Sequence, residues 1–115
     1  MNAKQTLGFE GLDAKTAVQR PPGVEQKLKA ERVQEELKSM PGWRLLANGG
    51  LHRARQFFLP GEAARYAAFA GELAANQHQR IELLLSSTRV AIIVFGPKGA
   101  GGITQSVLGF ARQLG

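Results

Sequence analysis

Glycine and proline divide this chain into short segments, and the spacing of these breaks limits what it can fold into. Turn-forming residues cluster at 21–23, 41–42, 48–50, 60–61 and 96–102. Because proline cannot continue a helix and glycine favours turns, each helix or strand must fit between two breaks. No apolar run approaches the roughly 20 residues of a membrane-spanning helix, so no membrane partner is expected. A chain of 115 residues provides for one domain with one hydrophobic core.

The first segment, residues 1–23, differs from the rest because its sparse apolar residues form no periodic face. It ends in Pro21-Pro22-Gly23, which blocks helix formation across this point. We predict a flexible N-terminal tail over 1–23 and one folded domain over 24–115. The polar, mildly basic start has no hydrophobic signal-peptide core, so a cytoplasmic protein is expected.

The remaining segments alternate between helical and strand periodicity. Apolar residues at spacings of three and four predict helices over 25–39, 60–77 and 105–114. Alternating or β-branched runs predict strands over 43–47, 51–59, 81–87 and 89–95, the first two joined by a hairpin turn at 48–50. The order αββαββα predicts an α+β fold, a four-stranded antiparallel sheet with helices packed on one face.

Several local features refine this prediction. The second helix carries a stripe of small residues that suits close packing on a sheet, and Thr104 is placed to cap the last helix with its hydroxyl. In the strand predicted over 51–59, Leu51, Arg53, Arg55 and Phe57 share one face, and neither face is purely apolar. We therefore expect that strand to be half covered or to lie toward an edge.

The composition offers few groups for catalysis or metal binding. The chain has no cysteine, and its two histidines, His52 and His78, share no ligand spacing, so neither a metal site nor a cofactor is expected. The carboxylates nearest to His78 are Glu72 and Glu82, and neither spacing forms a catalytic dyad. The loop at 96–102 is not a phosphate-binding P-loop, because Lys98 is followed by Gly99 rather than by serine or threonine.

The net charge of +6 favours an anionic partner, or serves only solubility. Four basic residues are candidates for contact with a partner. Because no exposed aromatic residues are interleaved with them, nucleic acid is not the expected partner. They are Arg53, Arg55, Arg80 and Lys98.

Three stretches resemble the pterin carbinolamine dehydratase family, in order and spacing across residues 25–115. The first is the predicted helix end that runs into Gly42-Trp43. The second is Arg55-x-Phe57, which leads into an alanine-rich helix with Tyr66 and Phe69. The third is the turn 101–104, which is followed by a helix containing Ala111. The resemblance implies the family's fold.

The family's acid and base groups occupy three places, and the resemblance maps them onto this chain. A His-His-Pro string ends the family's second helix, where this chain has Asn76, Gln77, His78 and Gln79. A Thr-His pair follows the last strand, where Gly96 and Pro97 stand here, and an aspartate of the last helix falls near Val107. At most one acid–base group is retained, so the resemblance implies a protein without catalytic residues.

Within that family, the chain is similar to the dehydratase-like RuBisCO assembly factors of α-carboxysome gene clusters. That similarity implies a homodimer that acts as a chaperone on the RuBisCO large subunit, in the cytoplasm or associated with the carboxysome. Two alternatives remain open. One is a divergent pterin dehydratase, or a pterin-binding protein, that uses His78; the other is a nucleic-acid or transcription-coactivator module that depends on charge.

Overall fold

The computed structural model describes residues 26–115, so the tail predicted over 1–23 lies outside the described residues. The order αββαββα is confirmed. The elements are α1 (Ala30–Leu37), β1 (Arg44–Leu45), β2 (Leu51–Gln56), α2 (Pro60–Asn76), β3 (Arg80–Ser86), β4 (Arg89–Phe95) and α3 (Gln105–Gln113).

The four strands form one antiparallel sheet in the order β1-β2-β4-β3. Ile92 of β4 stands opposite Arg53 of β2 and Leu83 of β3, and directly opposed residues point to the same face of a sheet. On that face Val90, Ile92 and Val94 are almost completely buried. The helices cover this face only, which confirms the predicted α+β architecture.

The core lies between this face and the two longer helices. In α2 the small side chains of Ala63, Ala70 and Ala74 are buried, and their size allows the helix backbone to lie close to the sheet. This confirms the packing predicted from the small-residue stripe. The last helix contributes four buried side chains, those of Val107, Leu108, Phe110 and Ala111.

Strand β2 behaves as its mixed pattern predicts. On one side it pairs with β4 along its whole length, whereas β1 pairs only with Leu51 and His52. Most of its outer side is therefore an edge. The hairpin turn is confirmed by Gly49, which has φ +89°, and by the Asn48 side chain, whose Oδ1 accepts the Gly50 N–H at 2.9 Å.

Three predicted boundaries are wrong. Helix α1 begins at Ala30 rather than at residue 25, because the chain before it is extended and the Leu28 N–H donates to the Ile103 carbonyl at 2.8 Å. Strand β1 has two residues rather than five, since the Leu46 N–H already bonds the Gly50 carbonyl across the turn. Strand β2 ends at Gln56 instead of continuing to residue 59.

The predicted cap of the last helix is also wrong in its chemistry. Thr104 occupies the N-cap position, but its side chain forms no hydrogen bond with the backbone of α3. It is fully buried, and its hydroxyl lies 3.2 Å from the Ser106 Oγ. Thr104 is therefore held by burial and by a contact with the first turn of α3, and not by a cap on its backbone.

Candidate functional site

The site expected from the sequence lies around Arg80, the first residue of β3, which lines two adjoining surface clefts. One cleft, of about 570 Å³, lies between the end of α2 and β3 and includes Gln79 and Glu82. The other, of about 330 Å³, lies between the hairpin turn at 48–49 and the loop at 96–102. Phe95 also lines both clefts.

A tight turn after α2 positions the residues of the first cleft. His78 has φ +55°, a left-handed conformation that glycine and asparagine adopt more readily than other residues. The Gln79 N–H then bonds back to the Ala74 carbonyl at 2.9 Å. The Gln77 side chain is bound to that of Gln113 at 2.7 Å, so it is held against α3. His78 itself is exposed and is not among the residues that line either cleft.

The second cleft depends on how the glycine-rich loop folds back on itself. A Cβ at Gly96 would stand 1.8 Å from the Gly102 carbonyl oxygen, so only glycine fits there. Arg80 donates to the Gly96 carbonyl at 2.8 Å, and its guanidinium lies 5.7 Å from the centre of the Phe95 ring. Arg80 thereby fixes the start of the loop that carries Pro97 and Lys98.

The two clefts contain charged and amide groups but no arranged acid–base pair. Their chemically active side chains are those of Gln79, Arg80, Glu82 and Lys98. Proton transfer requires a group held in place by a partner that tunes its pKa. Within residues 26–115 no hydrogen bond or ion pair joins a histidine to a carboxylate, and this range holds no cluster of three potential metal ligands. The second cleft, where Arg80 and Lys98 meet without a carboxylate, suits binding of an anionic group.

The structure brings together only part of the residue set that the resemblance implies. Gln79, Gly96 and Pro97 meet at the clefts, whereas Val107 is fully buried in the core and is not part of a surface site. Asn76 and His78 are exposed at the end of α2, beside these clefts in sequence.

The basic residues do not form one patch, which corrects the grouping made from the sequence. Arg80 and Lys98 meet at the second cleft. Arg53 and Arg55 lie instead on the face of β2 that the helices cover. Arg53 donates to the Tyr66 hydroxyl at 2.7 Å and to the Gly115 carbonyl at 2.8 Å. The guanidinium of Arg55 lies 4.9 Å from the centre of the Tyr66 ring.

The opposite face of the sheet is not covered by any helix of the described domain. His52, Leu84, Ala91 and Ile93 line a shallow depression there, together with Arg89. Burial lowers the pKa of His52, and the nearby charges of Arg44 and Arg89 lower it further. This face is therefore apolar at its centre, and side chains of both charges, Arg89 and Glu82, also line the depression.

Exposed apolar side chains are a feature that the sequence interpretation missed. Phe58 is 89% exposed, Leu84 63% and Leu59 51%. The sequence pattern predicts a strand that includes residues 58 and 59, whereas in the structure they belong to the connection between β2 and α2. Strand β3, which carries Leu84, is an outer strand of the sheet. None of the helices within residues 26–115 has the length and apolar character to cross a membrane.

Comparison with known proteins identifies the fold. No family model matches the sequence, and no curated protein matches it. Among solved structures, the chain is similar to the crystal structure of a transcriptional coactivator/pterin dehydratase from Brucella melitensis, with a TM-score of 0.70. The match has 20% sequence identity and covers 77% of this chain and 95% of the other. The domain therefore has a pterin dehydratase-like fold, as the resemblance implied.

Proposed function

We propose that this protein is a non-catalytic assembly factor, a chaperone for the RuBisCO large subunit that is associated with the α-carboxysome. The observation that carries the non-catalytic part is the composition of the two clefts around Arg80. The RuBisCO part is supported by the resemblance of residues 25–115 to the dehydratase-like assembly factors.

Dehydration of a carbinolamine needs both a proton donor and a proton acceptor at the substrate. Glu82 is the only carboxylate among the residues that line the first cleft, and the second is lined by none. The imidazole of His78 is exposed on a turn, and neither it nor that of His52 lines either cleft. The lack of a donor and acceptor pair at the clefts supports a role in binding and not in catalysis.

A homodimer is part of the proposal, and the outer edge of β3 is where we expect the two copies to pair. An unpaired strand edge offers a row of backbone donors and acceptors, and an antiparallel pair of β3 strands would satisfy them around a two-fold axis. Leu83, Leu84 and Leu85 are all exposed along this strand. Pairing would remove part of this apolar surface from water.

Light scattering after size-exclusion chromatography tests the dimer. We expect wild type to have twice the mass of the chain, and Leu84→Lys to have the monomer mass because it places like charges opposite each other. Gln34→Lys, which adds the same charge on the exposed side of α1, is the matched control and should remain dimeric. A monomeric wild type would contradict this part of the proposal.

Co-expression tests the assembly function. RuBisCO large and small subunits are produced with and without this protein, and soluble yield, native assembly and carboxylase activity are compared. We expect more assembled RuBisCO in its presence. If neither yield nor activity changes, the proposed function is wrong.

The likeness to a pterin dehydratase structure favours a second candidate, a divergent dehydratase that uses His78. A carbinolamine substrate assay decides between the two. His78→Asn is the informative variant, because asparagine tolerates the left-handed backbone at this position. Turnover by wild type that is lost in this variant would establish the second candidate; we expect no turnover in either protein.

A further inference from the structure

The connection between β2 and α2 presents two apolar side chains to solvent. Phe58 is 89% exposed, more than any other large apolar side chain of the described domain, and its neighbour Leu59 is 51% exposed. A phenylalanine that packs against a partner buries about 150–250 Å². The pair, called the 58–59 protrusion below, contributes little to the core of its own domain.

Hydrogen bonds on both sides hold the backbone of the 58–59 protrusion in place. Before it, the Phe57 N–H donates to the Thr88 carbonyl at 2.7 Å. After it, the Leu59 N–H donates to Oε1 of Glu62 at 3.3 Å, and the Glu62 N–H donates to the Leu59 carbonyl at 3.1 Å. Pro60 has a fixed φ at the start of α2 and also restricts the backbone of Leu59 before it. A partner would therefore lose little affinity to ordering of this loop.

The surroundings of the protrusion are electropositive. Arg55, Arg65 and Arg89 are exposed near it, and none of them forms a salt bridge within residues 26–115. Arg89 stands opposite Gln56 in the sheet, and Arg65 lies close to Gly61. Between residues 55 and 65 the only carboxylate is that of Glu62, which caps α2. An apolar centre with a basic rim is complementary to an apolar pocket with an acidic rim.

We propose that the 58–59 protrusion anchors this protein in an apolar pocket rimmed by carboxylates on its protein partner. The inference rests on the proposed function, so we place that pocket on the RuBisCO large subunit. Phe58 fills the pocket, Leu59 covers its edge, and Arg65 and Arg89 pair with the carboxylates. Aromatic anchors at the centre of an interface contribute most of its binding energy, whereas charges at the rim mainly steer association.

The protrusion is separate from the edge at which we expect the dimer to form. It follows β2, whereas the outer edge belongs to β3, and β4 lies between these two strands. A dimer paired through β3 would therefore carry two such protrusions, one in each protomer.

Binding of the full-length protein to purified cognate RuBisCO large-subunit complexes tests the inference, with biolayer interferometry at low and high salt. Phe58→Ser is expected to weaken binding by about 30-fold or more, as expected for a binding hot spot. Phe69→Ser is the matched control, since Phe69 is a second exposed phenylalanine, 46% exposed on α2. It should bind as wild type does. Arg65→Glu with Arg89→Glu should slow association, and added salt should then no longer slow it further, because the reversed charges repel the acidic rim and salt screens that repulsion.

The possible failures are distinguishable. If wild type binds and Phe58→Ser binds equally well, the inference is wrong and the proposed function stands. If wild type does not bind at all, both are wrong. A Phe58→Ser protein with a clearly lower melting temperature would show that Phe58 packs against another part of its own chain. A change in its oligomeric mass would show that a second copy occupies the protrusion. Either result overturns the inference.

Discussion

Replacement of Arg53 separates a structural role for this residue from a role in partner binding. The Arg53 guanidinium donates to the Tyr66 hydroxyl at 2.7 Å and to the Gly115 carbonyl at 2.8 Å. It also lies 4.8 Å from the centre of the Trp43 ring. Arg53 thus joins β2 to α2, to Gly115 beyond the end of α3 and to a buried tryptophan, so Arg53→Ala should destabilise the fold.

The size of the effect follows from these contacts. A hydrogen bond to a charged group contributes about 1.5–3 kcal/mol, and a partly exposed cation–π contact about 0.5–1 kcal/mol. The Tyr66 hydroxyl keeps a second partner, the Leu114 carbonyl at 3.3 Å, and Gly115 remains open to water. We therefore expect a loss of about 2–3 kcal/mol for Arg53→Ala, which is less than the simple sum of these contributions, about 3.5 kcal/mol or more. Arg53→Lys keeps the charge but loses the planar fork, so it should lose about half as much.

Urea unfolding followed by far-UV circular dichroism measures these free energies. Tyr66→Phe should cost about 1 kcal/mol, and the double variant should lose less than the sum of the two single variants, since both remove the same hydrogen bond. If Arg53→Ala changes stability by less than about 0.5 kcal/mol, Arg53 behaves as an ordinary surface residue and the structural argument is refuted.

Three further measurements test other parts of the structure. Hydrogen bonds from Arg112 and Arg32 lower the pKa of Glu36 in the folded state. The ionised Glu36 side chain therefore stabilises the fold fully above the ordinary glutamate pKa of about 4.3, and this stabilisation is lost as the pH falls through the lower folded-state pKa. The urea midpoint of wild type should fall more steeply on acidification than that of Glu36→Gln, and parallel curves would contradict this. Arg89→Gln should raise the pKa of His52, measured by NMR titration, because it removes one of the positive charges that lower it; an unchanged value would contradict the electrostatic account. Gly109→Ala should stabilise the protein by up to about 1 kcal/mol in urea unfolding, because alanine favours a helix and its methyl group would meet no atom within 4 Å. A loss of stability would contradict this.

The order of elements could be predicted from the sequence because its signals are local. Proline and glycine interrupt the chain at 41–42, 48–50 and 60–61, and apolar periodicity distinguishes helix from strand between these breaks. The Asn48 side chain closes its turn through a hydrogen bond to a residue two positions away, which no distant contact needs to support. Such features can therefore be recognised in the sequence without knowledge of the tertiary structure.

The boundaries that were wrong depend on residues distant in sequence. Helix α1 starts late because the backbone at Leu28 pairs with Ile103, 75 positions further along the chain. Thr104 is buried in the core, and its hydroxyl contacts the Ser106 side chain instead of capping the backbone of α3. Neither effect has a signal in the local pattern.

The candidate site was predicted only in part for the same reason. The sequence identified the ends of α2 and β4 as the places where functional groups of this fold would lie, and the structure joins them at Arg80. The resemblance placed one acid–base position near Val107, whereas the apolar spacing of the last helix predicts that Val107 faces the core, and the structure confirms its burial.

Sequence alone therefore determined the order of helices and strands, the antiparallel α+β fold and the scarcity of acid–base groups, all of which follow from residue type and short-range periodicity. It also placed Arg53 and Arg55 on one face of β2. Only the tertiary structure decided that this face is the one the helices cover, and that Phe58 is left in solvent. Which face of a strand is buried depends on the elements that pack against it, and these are brought together only when the chain is folded.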